Sequence, residues 1–262
     1  MPEPHPLNRD FTWRAATAEP KTITPEQARR FDEQGWFLLK GRFPSDLIRQ
    51  VEEAIAPLEA KREEELRAAG GQVRISRAGQ ITFTANMVRH SDVLANFSRH
   101  PVFAGLAHDL IGPSVRLYHD QAVFKKPSNP ARFPWHQDNG YRFLEPQQYL
   151  TCWVALSEAT RDNGCPQVVP GLHRMGTLRH WQTELGWECL DEADHVEVAE
   201  AEPGDVVVFS SLTPHLTGPN LTGSVRKAYI LQYAPDGARV IEREGDLGTL
   251  QNNPEYQYEV AA

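Results

Sequence analysis

A histidine and an aspartate stand two positions apart in the segment FPWHQDNGYRF, residues 133 to 143, as His136 and Asp138. In an extended strand, alternate side chains share a face, so His136 and Asp138 would point one way and Gln137 the opposite way. On a helix the two side chains would diverge. An imidazole and a carboxylate directed at a common point are two of the ligands that a metal site needs, so a third ligand is expected elsewhere in the chain.

The third candidate ligand is His215. Most histidines in proteins are hydrogen-bonded in the core or exposed, but the segment PGDVVVFSSLTPHLTGPN places His215 at the exit of a very apolar strand, just before a turn. Rigid scaffolds often present ligands at such strand ends. Two histidines and one carboxylate, with other positions open, form the facial triad of non-haem Fe(II) oxygenases. The other histidines keep ordinary roles, although His119 and His173 could lie near the site without binding metal.

The spacing between the third candidate ligand and a following arginine indicates a possible co-substrate site. Iron of this kind needs electrons to activate O2, and a 2-oxo acid can supply them by chelating the metal, provided that its far carboxylate is held elsewhere. Arg226 lies eleven residues after His215, so a returning antiparallel strand would bring its guanidinium alongside the metal for a bidentate pair. Thr217 could add a hydroxyl donor. An isolated arginine is more often a surface ion-pair partner, but the combination with the HxD pattern favours an anchor.

The N-terminal part predicts helices that must flank these residues. Thr24 is a good N-cap, Gln27 completes a capping box, and Gly35 stops the first helix. A strand, WFLLKGRF, follows, and Ser45 is expected to cap a long amphipathic helix. Residues 100–112 predict a short helix closed by a glycine.

Short strands dominate the rest of the chain. Six extended segments are separated by Pro, Gly, Asn and Asp residues. They are SVRLYHDQAVFKK, QYLTCWVAL, PQVVPG, HVEVAE, DVVVFSS and RKAYILQYAP. Helices followed by such strands predict an α+β, mainly β chain whose centre is a sandwich or jelly roll with a site in its open mouth. We expect one domain over residues 1–262, with an irregular arm at 1–21.

The segment 176–194, GTLRHWQTELGWECLDEAD, interrupts the strands with bulky residues. We expect it to be an insertion over or beside the mouth, with its large apolar side chains buried. These are Trp181, Leu185, Trp187 and Leu190. Structural packing against the rim and a substrate lid are both consistent with this pattern. Together with the arm, the insertion is expected to govern substrate choice.

Composition limits the partners of the protein. The 27 Lys and Arg residues against 35 Asp and Glu give a formal net charge of -8, so we expect a small-molecule substrate rather than nucleic acid or an anionic membrane. Cationic clusters such as KKPS at 125–128 are expected on the surface. Three cysteines without a CxxC pair argue against disulfides and a thiolate zinc site. With no signal-peptide core, we expect a soluble, cytoplasmic protein; its oligomeric state is not indicated.

Four blocks carry a family resemblance. FPWHQD, NGCPQVVPGLH, EPGDVVVFSSLTPHLTGPN and VRKAYILQYAP resemble, in order, the motifs of the phytanoyl-CoA dioxygenase family of Fe(II)/2-oxoglutarate oxygenases, over about residues 24–236. The resemblance implies a double-stranded β-helix (cupin-like jelly roll) that uses Fe(II), 2-oxoglutarate and O2. It implies iron ligands and a carboxylate anchor at His136, Asp138, His215 and Arg226. It also implies three residues around 2-oxoglutarate, namely Thr217, Trp153 and Gln121.

The resemblance further implies a hydroxylase. Halogenating members have a small residue in place of the carboxylate, so Asp138 favours hydroxylation of a C–H bond with release of succinate and CO2. Desaturation, cyclisation and epimerisation use the same ligands and stay open, as do, with less support, a cupin-like metal enzyme without 2-oxoglutarate and a non-catalytic interaction module. The substrate candidates are a secondary metabolite, an amino acid and an acyl-CoA.

Overall fold

The first helix, α1 (Pro25–Gln34), forms where the capping box predicts it. In the computed structural model, which describes residues 2–17 and 19–260, the Thr24 side chain accepts from the backbone N–H of Gln27, and the Gln27 side chain accepts from the backbone N–H of Thr24. Gly35 ends the helix at φ 83°, a left-handed conformation that suits glycine. The predicted start and end of this helix are therefore confirmed.

Three more helices follow. They are α2 (Ser45–Ala68), α3 (Asp92–Ser98) and α4 (Pro101–Leu110). The expectation that Ser45 caps α2 is wrong: Pro44 holds the N-cap position, and its carbonyl accepts from Leu47 and Ile48. Ser45 itself is the first helical residue. Helix α3 was not predicted, because its seven residues are too short for a clear periodic pattern. Within the described ranges, no helix is long and apolar enough to cross a membrane.

The remaining regular structure is strand. In chain order the strands are β1 (Trp36–Leu39), β2 (Gln72–Val73), β3 (Ser76–Arg77), β4 (Ile81–Ala85), β5 (Val115–Lys125), β6 (Phe133–His136), β7 (Leu144–Glu145), β8 (Leu150–Ala155), β9 (Pro166–Val168), β10 (Trp181–Thr183), β11 (Gly186–Glu188), β12 (Glu197–Val198), β13 (Val206–Ser210), β14 (His215–Thr217), β15 (Arg226–Pro235), β16 (Arg239–Val240) and β17 (Thr249–Leu250). Each of the six predicted segments contains one of these strands.

Two antiparallel sheets form the centre. The larger has the order β1-β13-β8-β15-β5-β4-β3-β2, and the smaller has the order β12-β9-β14-β6. Two minor sheets are formed by the pair β10-β11 and by the three strands β17-β16-β7. Strand-rich sheets with N-terminal helices confirm the predicted α+β, mainly β jelly roll.

Alternation along the large sheet separates the helices from the site. On β15, Tyr229 and Leu231 belong to the main core, which also contains Phe31 of α1 and Phe103 of α4. Ala228 of the same strand belongs to a second apolar cluster that includes residues of the small sheet. Because successive side chains of a strand point to opposite faces, the large sheet packs on helices with one face and encloses a space with the small sheet on the other.

Candidate metal centre

His136, Asp138 and His215 meet at one point between the sheets. His136 ends β6, Asp138 begins the short turn that follows, and His215 begins β14, where it is the register partner of His136. One ligand atom from each residue lies within 4.8 Å of the others. Oδ1 of Asp138 is 4.0 Å from Nε2 of His136 and 3.8 Å from Nε2 of His215. The three side chains could therefore hold a metal ion.

Hydrogen bonds fix the orientation of each candidate ligand. Nδ1 of His136 is 2.8 Å from the carbonyl oxygen of Pro134, and Nδ1 of His215 is 3.0 Å from that of Thr213. Each Nδ1–H then donates to its carbonyl, and the lone pair of Nε2 is left for a metal. Thr151 donates its hydroxyl to Oδ2 of Asp138 at 2.5 Å.

Burial sets the protonation of the two imidazoles. Desolvation lowers the pKa of His136 to about 3, assisted by His215, and lowers the pKa of His215 to about 4. Both rings are therefore neutral at neutral pH, which is the form that binds metals. Burial raises the pKa of Asp138, and a bound cation would oppose that shift. Neutral imidazole and carboxylate donors fit Fe(II).

Arg226 begins β15 and is completely buried. Nη1 donates to the carbonyl of Val123 at 3.4 Å, whereas Nε and Nη2 have no hydrogen-bond partner in the described part of the chain. Its guanidinium lies 5.3 Å from the ring centroid of Trp153. Burial lowers the pKa of Arg226 to about 10, so it stays charged at neutral pH. Buried charges need partners, and two free N–H groups of a guanidinium fit the far carboxylate of 2-oxoglutarate.

Thr217 and Lys125 link the two sheets beside Arg226. Nζ of Lys125 donates to the carbonyl and to Oγ1 of Thr217, each at 3.2 Å, and Lys125 is the register partner of Arg226. The expectation that KKPS is a surface cluster is wrong for Lys125, which is fully buried. Alternation turns Lys125 inward and leaves Lys126 to pair with Glu59 at 2.5 Å.

A cavity of about 930 Å³ opens in front of the candidate metal ligands. Gln121 and His119 of β5 line it. Trp153 is buried beside the Arg226 guanidinium and is not among the residues that line this cavity. His173 is buried elsewhere, with its ring 4.4 Å from that of Trp13.

The segment 176–194 contains the hairpin β10-β11 at the mouth of this cavity. Its expected burial is wrong for Trp181 and Trp187, which are 40% and 38% exposed, although Leu190 is buried. The hairpin packs on Tyr141 and Phe133 at Gly186, but a sheet of only two strands buries side chains just where the rim lies against it. Trp187 lines the cavity together with its cross-strand partner Gln182.

Sequence reasoning missed Thr151, Lys125 and Gln137, which shape the site. Gln137, between the two candidate ligands, is fully buried; its amide donates to the carbonyls of Gly176 and Leu212 and accepts from the backbone N–H of Leu178, at 3.0, 2.6 and 2.6 Å. It therefore fastens the root of the insertion to the turn that carries Asp138. The sequence did contain a signal for this role, because strand alternation directs the Gln137 side chain away from the candidate metal ligands.

Comparisons with known proteins identify the family of this chain. The family model for phytanoyl-CoA dioxygenase (PhyH) matches residues 31–228. A probable phytanoyl-CoA dioxygenase of Caenorhabditis elegans is 29% identical over 254 residues, which cover 87% of this chain and 81% of that protein.

Solved structures share the fold at lower identity. EctD from S. alaskensis, crystallised with 2-oxoglutarate and 5-hydroxyectoine, has a TM-score of 0.72 at 21% identity, covering 100% of this chain and 90% of that one. The α-ketoglutarate-dependent carbocyclase SnoK from nogalamycin biosynthesis has a TM-score of 0.71 at 22% identity, covering 93% and 100%. The family match spans most of the chain and includes the three residues that could hold a metal. The chain therefore belongs to the phytanoyl-CoA dioxygenase family, the non-haem oxygenases that depend on Fe(II) and 2-oxoglutarate.

Proposed function

We propose that His136, Asp138 and His215 hold the Fe(II) and that Arg226 binds the far carboxylate of 2-oxoglutarate. One observation carries this assignment: ligand atoms of two buried histidines and a half-buried aspartate lie within 4.8 Å of one another, in the same inter-sheet space as a buried guanidinium with two unpartnered nitrogen donors. A buried guanidinium with unpartnered nitrogen donors would be costly without an anion beside it. A metal enzyme without a 2-oxo acid would leave Arg226 without a role, and an interaction module would leave the triad without one.

Three further residues complete the proposed 2-oxoglutarate site. Thr217 offers its hydroxyl next to Arg226, and Trp153 supports the guanidinium from below through a cation–π contact. Gln121 lies on the cavity side and offers an amide to the end of 2-oxoglutarate nearer the metal. Each residue would orient the co-substrate rather than take part in bond making.

We propose hydroxylation as the outcome. Bound Fe(II) and 2-oxoglutarate supply the oxidation of a C–H bond by O2, with release of succinate and CO2. The carboxylate of Asp138 occupies the place that a halide would need, which supports oxygen insertion over halogenation. Desaturation, cyclisation and epimerisation remain rival outcomes, since they differ only in how the substrate is oriented. The cavity walls, among them Phe133, Tyr141 and Trp187, would set that orientation and limit the access of water.

The cavity size suits a small-molecule substrate, such as a secondary metabolite, an amino acid or part of an acyl-CoA. We further propose that the hairpin β10-β11 is a lid over it. Tyr141 connects the hairpin to the candidate metal ligands, which supports this idea. Its ring lies edge-on to His136 at 5.4 Å, and its hydroxyl would be 2.6 Å from a Cβ placed at Gly186 of the hairpin.

The arm joins the insertion through backbone bonds of Glu3 and His5 to residues 177–179, so both could govern substrate choice within one domain. The free cysteines support a reducing, cytoplasmic setting.

The test is turnover against a panel of metabolites with Fe(II), 2-oxoglutarate and isotopically labelled O2. Hydroxylation requires succinate release together with a product that gains one labelled oxygen atom. A product that has lost two hydrogens would instead identify desaturation or cyclisation. A product of unchanged mass and inverted configuration would identify epimerisation. Failure of the wild-type protein to bind 2-oxoglutarate in the presence of metal would overturn the assignment of the site.

A further inference from the structure

Two buried cations lie side by side at the inner end of the site. Lys125 of β5 and Arg226 of β15 are register partners, and both are fully buried. Like charges in a low-dielectric interior repel each other. Consistent with this, burial and the charge of Arg226 lower the pKa of Lys125 well below its ordinary value. A carboxylate bound beside Arg226 would oppose this shift and favour the charged ammonium.

Neither cation is neutralised within the part of the chain that the structure describes. The Lys125 ammonium donates to the Thr217 carbonyl, to Thr217 Oγ1 and to the Gly218 carbonyl, all of them neutral acceptors. Arg226 donates only to the carbonyl of Val123, and its Nε and Nη2 have no partner there. Buried charges are normally paired, so this buried pair carries an excess of positive charge that a bound anion would relieve.

The position of the lysine is tightly defined by packing. Gly164 adopts φ +90°, and a Cβ added there would lie 2.5 Å from the carbonyl oxygen of Gly218 and 3.1 Å from Cδ of Lys125. Only glycine therefore allows the stem of Lys125 to run past this turn to Thr217. The ammonium is held in place by the fold.

The hydrogen bond from the Lys125 ammonium to Thr217 also determines where the hydroxyl hydrogen of Thr217 points. Because Oγ1 of Thr217 accepts from the ammonium, the hydroxyl hydrogen of Thr217 must point to another acceptor. A carboxylate bound to Arg226 would be such an acceptor.

We propose that Lys125 is a positioning residue of the 2-oxoglutarate site, which supplies a second positive charge and directs the Thr217 hydroxyl toward the far carboxylate. This inference builds on the proposed function of Arg226. It predicts that the protein selects 2-oxo acids with a second carboxylate more strongly than Arg226 alone would allow.

The test measures binding rather than turnover, by anaerobic calorimetry with Mn(II) in place of iron. The two probes are 2-oxoglutarate and 2-oxopentanoate, which has the same chain length without the far carboxylate. We expect Lys125→Gln to weaken 2-oxoglutarate binding about 10- to 100-fold, to change 2-oxopentanoate binding less than about threefold, and to leave Mn(II) binding unchanged. Lys126→Gln, next to it on the other face, should retain the selectivity of the wild type.

Two results would overturn the inference. One is wild-type selectivity in Lys125→Gln; the other is an equal loss for both acids, which a merely structural lysine would cause. If Lys125→Gln does not fold, Thr217→Val serves as the second variant: reduced selectivity supports the directed hydroxyl, and unchanged selectivity rejects it. Two results would contradict the proposed function itself. One is that both Lys125→Gln and Arg226→Met keep the selectivity of the wild type; the other is that the wild type does not bind 2-oxoglutarate.

Discussion

Thr151 donates its hydroxyl to Oδ2 of Asp138 at 2.5 Å, and this bond leaves Oδ1 facing the Nε2 atoms of His136 and His215. Thr151 belongs to β8 of the large sheet, whereas both histidines belong to the small sheet. The large sheet thus orients the carboxylate against two imidazoles held by the small sheet. Partners of this kind typically change metal affinity 10- to 100-fold when removed.

Thr151→Val should therefore weaken metal binding about tenfold while leaving the fold intact, because valine keeps the shape of threonine and lacks the donor. Anaerobic titration with Fe(II) or Mn(II) measures the effect. Thr82→Val is a matched control, since Thr82 is also a buried strand residue that donates to a carboxylate, that of Glu59. Equal metal affinity in the two variants would mean that Thr151 does not orient Asp138.

Asp138→Ala should abolish succinate release and weaken Fe(II) binding, because it removes the anionic ligand of the proposed site. Metal titration and succinate assays measure the two effects separately. Glu184→Ala is the control, since Glu184 lines the same cavity outside the group that could hold a metal. Full turnover by the Asp138 variant would reject the triad.

Arg226→Met should raise the dissociation constant of 2-oxoglutarate about 30- to 1000-fold, since a buried charge-assisted pair contributes roughly 2 to 4 kcal/mol. Metal binding should stay nearly unchanged. Calorimetry with Mn(II) measures both, and Arg142→Met, at an exposed cavity arginine, is the control. An unchanged dependence on 2-oxoglutarate would place the carboxylate anchor elsewhere.

Local chemistry in the sequence predicted the parts of this protein that depend on near neighbours. The capping residues Thr24 and Gln27 determine where α1 starts, and the spacing of His136 and Asp138 limits how both can face one point. Strand β15 covers the predicted segment 226–235. The double-stranded β-helix itself required the order of four motif blocks, because strand pairing between distant segments is not visible in local patterns.

Burial at a particular register could not be predicted in the same way. Lys125 and Lys126 are adjacent residues of the same type, yet Lys125 is fully buried and Lys126 pairs with Glu59. Only the pairing of Lys125 with Arg226 decides which lysine points inward. For the same reason the sequence could not separate Trp181 from Trp187, whose roles depend on which face of the hairpin meets the cavity.

The different positions of Trp181 and Trp187 on the hairpin provide a test of the proposed lid. Trp187 lines the cavity, and Trp181, on the opposite face of the same hairpin by strand alternation, is not among the lining residues. Because the two side chains are similarly exposed, truncating either should cost the fold a similar, small amount of stability. Trp187→Ala should keep a normal melting temperature and normal binding of Fe(II) and 2-oxoglutarate, but should release succinate without oxidising the substrate. Trp181→Ala should remain coupled. If both variants melt several degrees lower with coupling intact, the hairpin packs on the rim and is not a lid.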